Sequence, residues 1–282
     1  MTLTIKFYDV EHGSCTHIIT PNNKHILVDI GTKDSKSICK HLKEKHLNGD
    51  KIDYLVLTHP HLDHIQDLLS LHTYDVKPRV LNRPNLAFPL VATSAMNEHE
   101  KKIISTANSM NDEYNHAILS GQEPWNPVYN GGVSFSFFKP LDSQCDKNDL
   151  NSFSNVIVLE YSGFKIVLTG DNPKEILKDM VEVDDFQKAI KDATILLAPH
   201  HGRDSDFCET FVDFVNPRLT VISDSHIKYS TQEYSAQKYG NKTRGTTWSG
   251  QNRKVFTTRN DGTISFSFNS DNSWSITASK DE

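Results

Sequence analysis

Four side chains able to bind a metal, His59, His61, Asp63 and His64, stand within six residues in the segment THPHLDHI. They follow an apolar run over residues 53–57 and precede a helical pattern from about Leu62 to Leu71. This juncture constrains the fold more than any other feature, because it demands a strand whose C-terminal end opens into a polar turn and then a helix. His59 and His61, two apart in an extended turn, can point the same way and grip one cation. Asp63 and His64, at the start of the helix, can reach a second. Imidazole combined with carboxylate suits zinc, and also manganese or iron.

Two further strand ends carry the same chemistry. Residues 164–169 read as a strand closing on LTGDN, and residues 194–198, TILLA, run directly into PHHG. Two neighbouring cations need an anion between them, and Asp171 is the natural bridging carboxylate, with Gly170 letting the backbone come close. PHHG supplies the last ligand, His200 or His201. One suffices, and the reading favours His200, leaving His201 to contact substrate or support the site.

Residues 3–9, 15–20 and 25–30 read as a strand meander ending in ILVDIG, followed by a helix over 35–47 with Ser35 as N-cap. The stretch 74–130 is insertion-like, with a strand near 79–81 and a helix near 98–110, and it receives no function. Strands at 133–138 and 155–161 and a helix after Pro173 follow. A last pair, 254–258 and 263–268, flanks Asp261-Gly262, a hairpin signal. Strands of both halves lead into helices, which predicts an α/β chain: an αββα four-layer sandwich of two packed mixed sheets. No Gly/Ser- or Pro-rich linker divides residues 1–282, so one domain is expected.

The net charge of −6 argues against a general polyanion binder. Residues 238–259, however, hold six basic side chains and no acidic one, so the remainder carries −12. Lys242, Arg244 and Arg253, interleaved with Tyr239 and Trp248, form a candidate substrate-binding segment, with a solvated basic loop as the alternative. The four cysteines lie far apart without a C-x-x-C pair, which favours a reducing compartment. The N-terminus shows no apolar leader and no segment long enough to span a membrane, so a cytoplasmic location without membrane contact is expected.

The motifs HPHLDH, LTGDN and PHHG, in this order, resemble the metallo-β-lactamase superfamily. The segments FYDVEHGSC, ILVDIG, NSFSNVIVLEYSGFKIVLTGDN, APHHG and VFTTRNDGTI resemble the metallo-β-lactamase-like domain of ComEC competence proteins, covering nearly the whole chain outside 74–130. The resemblance implies a binuclear centre of two divalent ions, zinc or manganese, and points to a nuclease. The chain departs from it in three ways. The third histidine of the first metal site is missing before residues 156–161, where Asn151, Asp149 or water is left to fill the gap. Gln66 and Asp67 replace the usual glycine pair after the fourth ligand. The ComEC membrane channel is absent, so DNA uptake does not transfer.

A divalent cation lowers the pKa of a bound water to about 7. Asp63 can orient that water and take its proton, with His201 as a second catalytic candidate. No G-x-S-x-G elbow or Cys-His pairing competes. A phosphodiesterase or nuclease is therefore the first reading, with nucleic acid as partner. A hydrolase of a small phosphodiester, such as a cyclic nucleotide or a phosphocholine ester, is the second. A lactonase, thioesterase or β-lactamase fits the motifs less well, and a metal-stabilised binding protein without catalysis is the reading from another class.

Overall fold

In the computed structural model, which describes residues 1–32, 36–84, 96–146, 148–226 and 230–280, the predicted strands form and others join them. In chain order they are β1 (Thr2–Phe7), β2 (Thr16–Ile19), β3 (His25–Val28), β4 (Tyr54–Val56), β5 (Val80–Asn82), β6 (Ser134–Phe138), β7 (Val156–Tyr161) and β8 (Phe164–Leu168). Then come β9 (Ile195–Leu197), β10 (Leu219–Ile222), β11 (Thr246–Trp248), β12 (Gln251–Arg253), β13 (Val255–Thr257), β14 (Thr263–Asn269) and β15 (Trp274–Ser279). The helices are α1 (Ile38–Lys45), α2 (Leu62–Ile65), α3 (Ser70–Thr73), α4 (Glu98–Glu113), α5 (Lys174–Met180), α6 (Asp184–Ile190), α7 (Glu209–Val215), α8 (Ser235–Lys242) and α9 (Thr258–Asp261).

The strands assemble into a seven-stranded sheet, β15-β14-β1-β2-β3-β4-β5, a six-stranded sheet, β13-β10-β9-β8-β7-β6, and the small β11-β12 hairpin. Both large sheets are mixed: β3, β4 and β5 run parallel in the first, and β8, β9, β10 and β13 in the second. Alternation sorts the side chains into three apolar layers. Leu3, Ile5 and Phe7 of β1 meet Ile157 and Leu159 of β7 between the sheets. Leu27 and Leu55, on the outer face of the first sheet, pack under α1 and α4 through Leu42 and Ile103. Val158 and Val167, outside the second sheet, pack under α5–α8 through Leu177 and Phe211. Helix, sheet, sheet, helix is the four-layer αββα sandwich expected.

Three local expectations are corrected. The Asp261-Gly262 segment is not a hairpin: β13 pairs parallel with β10 in one sheet, β14 pairs antiparallel with β1 in the other, and α9 bridges them. The helical pattern after Leu62 breaks into α2 and α3. Helix α1 starts later than predicted, capped by Ser37, whose side chain accepts the Lys40 amide; the anticipated cap Ser35 lies outside the described residues. Asp67, where a glycine was expected, is buried and accepts from Ser37 Oγ (2.9 Å) and the Cys39 amide (2.8 Å), so it ties α1 to the loop behind α2.

Candidate metal centre

Strand β4 delivers Thr58 and His59 to the C-terminal edge of the first sheet. Thr58 donates its amide and hydroxyl to the two oxygens of Asp29 (2.7 and 2.8 Å), which clamps the end of β4 to the end of β3. The chain stays extended through His61, the N-cap of α2, so His59 Nε2 and His61 Nδ1 approach to 3.1 Å. The Asp63 carbonyl then passes so close to Gly31 that a Cβ there would sit 1.9 Å from it, which excludes any side chain. On the facing sheet, Gly170 at φ +54 turns β8 toward Asp171, whose amide binds Ser154 Oγ (3.1 Å). After β9, His200 and His201 both adopt left-handed backbone angles (φ +49 and +52), a conformation costing L-residues about 1–2 kcal/mol each and held only where the surroundings impose it.

Asp63, His64, Asp171 and His201 converge with one ligand atom each, all within 4.8 Å of one another. His64 Nε2 lies 3.2 Å from Asp171 Oδ1, and His201 Nε2 lies 3.3 Å from Asp63 Oδ2 and 3.4 Å from Asp171 Oδ2. Ligands held at about 2.0–2.2 Å on one tetrahedral cation stand roughly 3.3 Å apart, so the spacing already matches shared ligation. Both Nε2 atoms are buried and make no hydrogen bond despite these distances, as expected of atoms arrayed about a common point. Each opposite ring nitrogen is held: His64 Nδ1 donates to Asp29 (2.7 Å) and His201 Nδ1 to the Ser223 carbonyl (3.0 Å), leaving the Nε2 lone pairs facing inward.

The electrostatics agree. Burial alone would lower the His64 and His201 pKa values, but the carboxylates facing them outweigh it, raising His64 well above the imidazole range and His201 to about 10. Burial would raise Asp63 and Asp171, yet the same imidazoles hold both below the carboxylate range. The cluster therefore stabilises positive charge between its carboxylates, the charge divalent cations bring. Burial keeps His59 and His61 neutral and ready to ligate, whereas a cation would have to displace the protons that the carboxylates hold on His64 and His201.

The structure thus places the predicted ligands His59, His61, Asp63, His64 and Asp171 around one cleft, with His200 beside it, its Nε2 3.8 Å from Asp171 Oδ2. The sequence favoured His200 as ligand and His201 as catalyst; the converging group contains His201, whose Nε2 is turned inward by the bond of its Nδ1 to the Ser223 carbonyl. At the gap left by the missing histidine, the buried Asn151 side chain faces His61. Asp149 instead accepts the Asn151 amide (3.1 Å) as the cap of its own turn.

The candidate substrate-binding residues are not brought to the cleft. Arg244 and Arg253 precede β10-side and β13 contacts at the N-terminal ends of parallel strands whose C-terminal ends face the cluster: the Arg244 amide binds the Pro217 carbonyl, ahead of β10, and Arg253 ends the hairpin ahead of β13. Their charges are also engaged. Lys242 pairs with Glu209 (2.6 Å) and Asp213 (2.9 Å), Arg244 donates to the Ala193 carbonyl (3.2 Å), and Arg253 grips both oxygens of Asp261 while lying over Phe256. Trp248 packs on Phe256 and donates to the Ile276 carbonyl, and Tyr239 is fully buried, so neither is presented for base stacking.

Sequence reasoning missed Asp29, Ser223, Asp206 and His12. Asp206 holds His200 Nδ1 (2.7 Å), and His12, half-exposed at the mouth, reaches to 3.6 Å from Asp63 Oδ2. The signal was local: Asp29 follows the apolar run Ile26–Val28 of β3.

A four-layer αββα sandwich with a His/Asp cluster across its sheet edges is the metallo-β-lactamase fold. Residues 8–126 match the model of the metallo-beta-lactamase superfamily. A UPF0173 metal-dependent hydrolase of Roseiflexus castenholzii is 39% identical over 62 residues, 22% of this chain and 25% of that relative; one of a second Roseiflexus strain is 37% identical over 60 residues, 21% and 24%. The matched segment thus spans about a quarter of the curated relatives' length. Among solved structures, the metallo-beta-lactamase fold protein YhfI from Bacillus subtilis superposes with a TM-score of 0.52 at 12% identity, covering 90% of this chain and 96% of YhfI. No helix among the described residues is long and apolar enough to cross a membrane.

Proposed function

We propose that this chain is a metal-dependent hydrolase of phosphodiesters, carrying two divalent ions, zinc or manganese, at the ends of the facing sheets. The observation that carries this reading is the convergence of Asp63, His64, Asp171 and His201 within 4.8 Å, with buried imidazole nitrogens turned inward. His59, His61, Asp63, His64, Asp171 and His201 would hold the ions. When bound, the cations supply Lewis acidity and a water acidified to about neutral pH. Asp63, partly exposed beside His201, would orient the attacking water and take its proton, with His12 3.6 Å from the same carboxylate.

Phosphodiesters are favoured over lactones and thioesters by the ComEC-like segments of the sequence. The pairing of the basic segment bears on substrate size: Lys238, Lys242, Arg253 and Arg259 are already paired with carboxylates of this chain, which favours a small phosphodiester over a polymer tracked along the segment. Nucleic acid remains the second reading, on the strength of the ComEC-like segments alone.

The test is hydrolysis by metal-stripped protein reloaded with zinc, manganese or magnesium, assayed on a nitrophenyl phosphodiester, a cyclic nucleotide, single-stranded DNA, duplex DNA and RNA. Metal-restored cleavage of the small esters is expected, with loss of at least about a hundredfold in His64→Ala and Asp171→Ala. Cleavage of polymers alone would return the nuclease to first place, and cleavage of no phosphodiester under any metal would refute the proposal.

A further inference from the structure

Asp171 divides its two oxygens unequally. Oδ1 faces His64 Nε2 at 3.2 Å, whereas Oδ2 is approached by three imidazoles: His201 at 3.4 Å, His200 at 3.8 Å and His59 at 3.9 Å. His201 belongs with Asp63 and His64. His200 and His59 stand at nearly the same reach from one oxygen, on the side where the His59–His61 pair is short of a third imidazole. We infer that His200 supplies that imidazole, so that two consecutive histidines of one turn serve different cations; this rests on the metal-dependent reading above.

Three observations on the turn carry the assignment. First, the His200 ring is held as a ligand ring is: Nδ1 pairs with Asp206 Oδ2 at 2.7 Å, which leaves the Nε2 lone pair for the cleft. Second, the His200 amide donates to the Gly170 carbonyl (3.2 Å), locking the turn to the residue that precedes Asp171. Third, the ring spacings separate the pair. Imidazoles sharing one tetrahedral cation have centroids about 5 Å apart. His64 and His201 stand at 5.3 Å but His200 and His201 at 6.4 Å, so the two rings of the turn do not share one cation; His59 lies between the groups, 4.8 Å from His61 and 4.1 Å from His64. The consecutive left-handed backbone angles splay the two rings: His201 Nε2 reaches both Asp63 Oδ2 and Asp171 Oδ2, whereas His200 Nε2 stands 3.8 Å from Asp171 Oδ2 beside His59.

The first cation is therefore held by His59, His61 and His200 with Asp171, and the third histidine of the family is replaced from the opposite side of the cleft. The histidine missing from residues 149–155 is not lost to the site. Asn151, beside His61, marks where the family's ligand would stand.

Metal-stripped full-length protein is titrated with cobalt(II), zinc and manganese by calorimetry, with the cobalt absorption spectrum as a second readout and thermal unfolding as a check on folding. Wild type is expected to take two equivalents. His200→Gln is expected to keep one tight equivalent and to bind the other on the order of tenfold or more weakly, with the cobalt bands of a single site lost. Asp206→Asn, which leaves the ligand in place, is expected to weaken the same equivalent by a smaller factor. Asn151→His in the His200→Gln background is expected to restore it. His200→Gln binding both equivalents with wild-type affinity, or losing both together, overturns the assignment. Wild type binding no metal overturns the metal-dependent reading instead, so the two failures are distinct.

Discussion

Asp29 touches no predicted ligand of the first pair, yet it organises the site. Its two oxygens take the amide and hydroxyl of Thr58 and the Nδ1–H of His64, from a left-handed backbone position (φ +60) at the end of β3. It thereby fixes which nitrogen of His64 faces the cleft. Asp29→Ala is expected to weaken the second cation by about 10–100-fold, measured by metal titration, and to destabilise the apoprotein, because His64 loses its buried carboxylate. Unchanged affinity would remove Asp29 from the site. At this scale the candidate ligands were legible and their supports were not. Four potential ligands in six residues are rare by chance, whereas an aspartate after an apolar run, a Ser223 carbonyl or an Asp206 six residues past a histidine look like ordinary sequence. The choice between His200 and His201 was equally closed to sequence, because it depends on two backbone angles that place adjacent rings on different sides.

Among the elements, α1 packs on the first sheet through a second group of histidines remote from the metal cluster. His17 of β2 meets the Tyr8 hydroxyl (3.2 Å) and His25 (3.0 Å) through its two ring nitrogens, and His46 at the end of α1 sits edge-on to it. Burial, reinforced by His25 and His46, pushes the His17 pKa well below 6.5. The folded state thus keeps His17 neutral while the unfolded chain protonates near pH 6.5. Its contribution is fully present above that value and is lost as the pH falls below it, at up to about 1.4 kcal/mol per unit. Urea unfolding of metal-stripped protein at pH 7.5 and 5.5 should show a smaller acid loss in His17→Gln than in wild type; equal losses would contradict this account. The element boundaries show where local pattern suffices. The meander and the strands leading to the three motifs were readable from alternation and apolar runs. The β13–β14 hairpin was misread because Asp261-Gly262 satisfies the local rule, while the partners that win, β10 and β1, are distant in sequence.

For the molecule as a whole, the basic segment does not form one face: Lys242 is paired on α7, while Lys238 and Arg259, nearer the cluster, are paired with Asp204 and Asp224, so the charge asymmetry is not a substrate funnel. Arg253 is a structural residue, bound through two oxygens of Asp261 and lying over Phe256. Arg253→Ala is expected to lower stability by about 1–3 kcal/mol, measured by denaturant unfolding, and to leave the salt dependence of hydrolysis unchanged. A flattened salt dependence with intact stability would show that this face meets a polyanion after all. The four-layer architecture was legible from the order of strands and helices. Which surface faces the chemistry was not, because charge composition carries no direction until the strands are paired.

The central claim, that the three strand ends build a metal centre, is tested most directly by anomalous diffraction from crystals of the protein loaded with manganese or zinc. The account predicts two anomalous peaks flanking Asp171, one within about 2.2 Å of His64 Nε2 and His201 Nε2 and the other at the same distance from His59 Nε2 and His61 Nδ1. Peaks elsewhere, or none within the cluster at saturating metal, would contradict it.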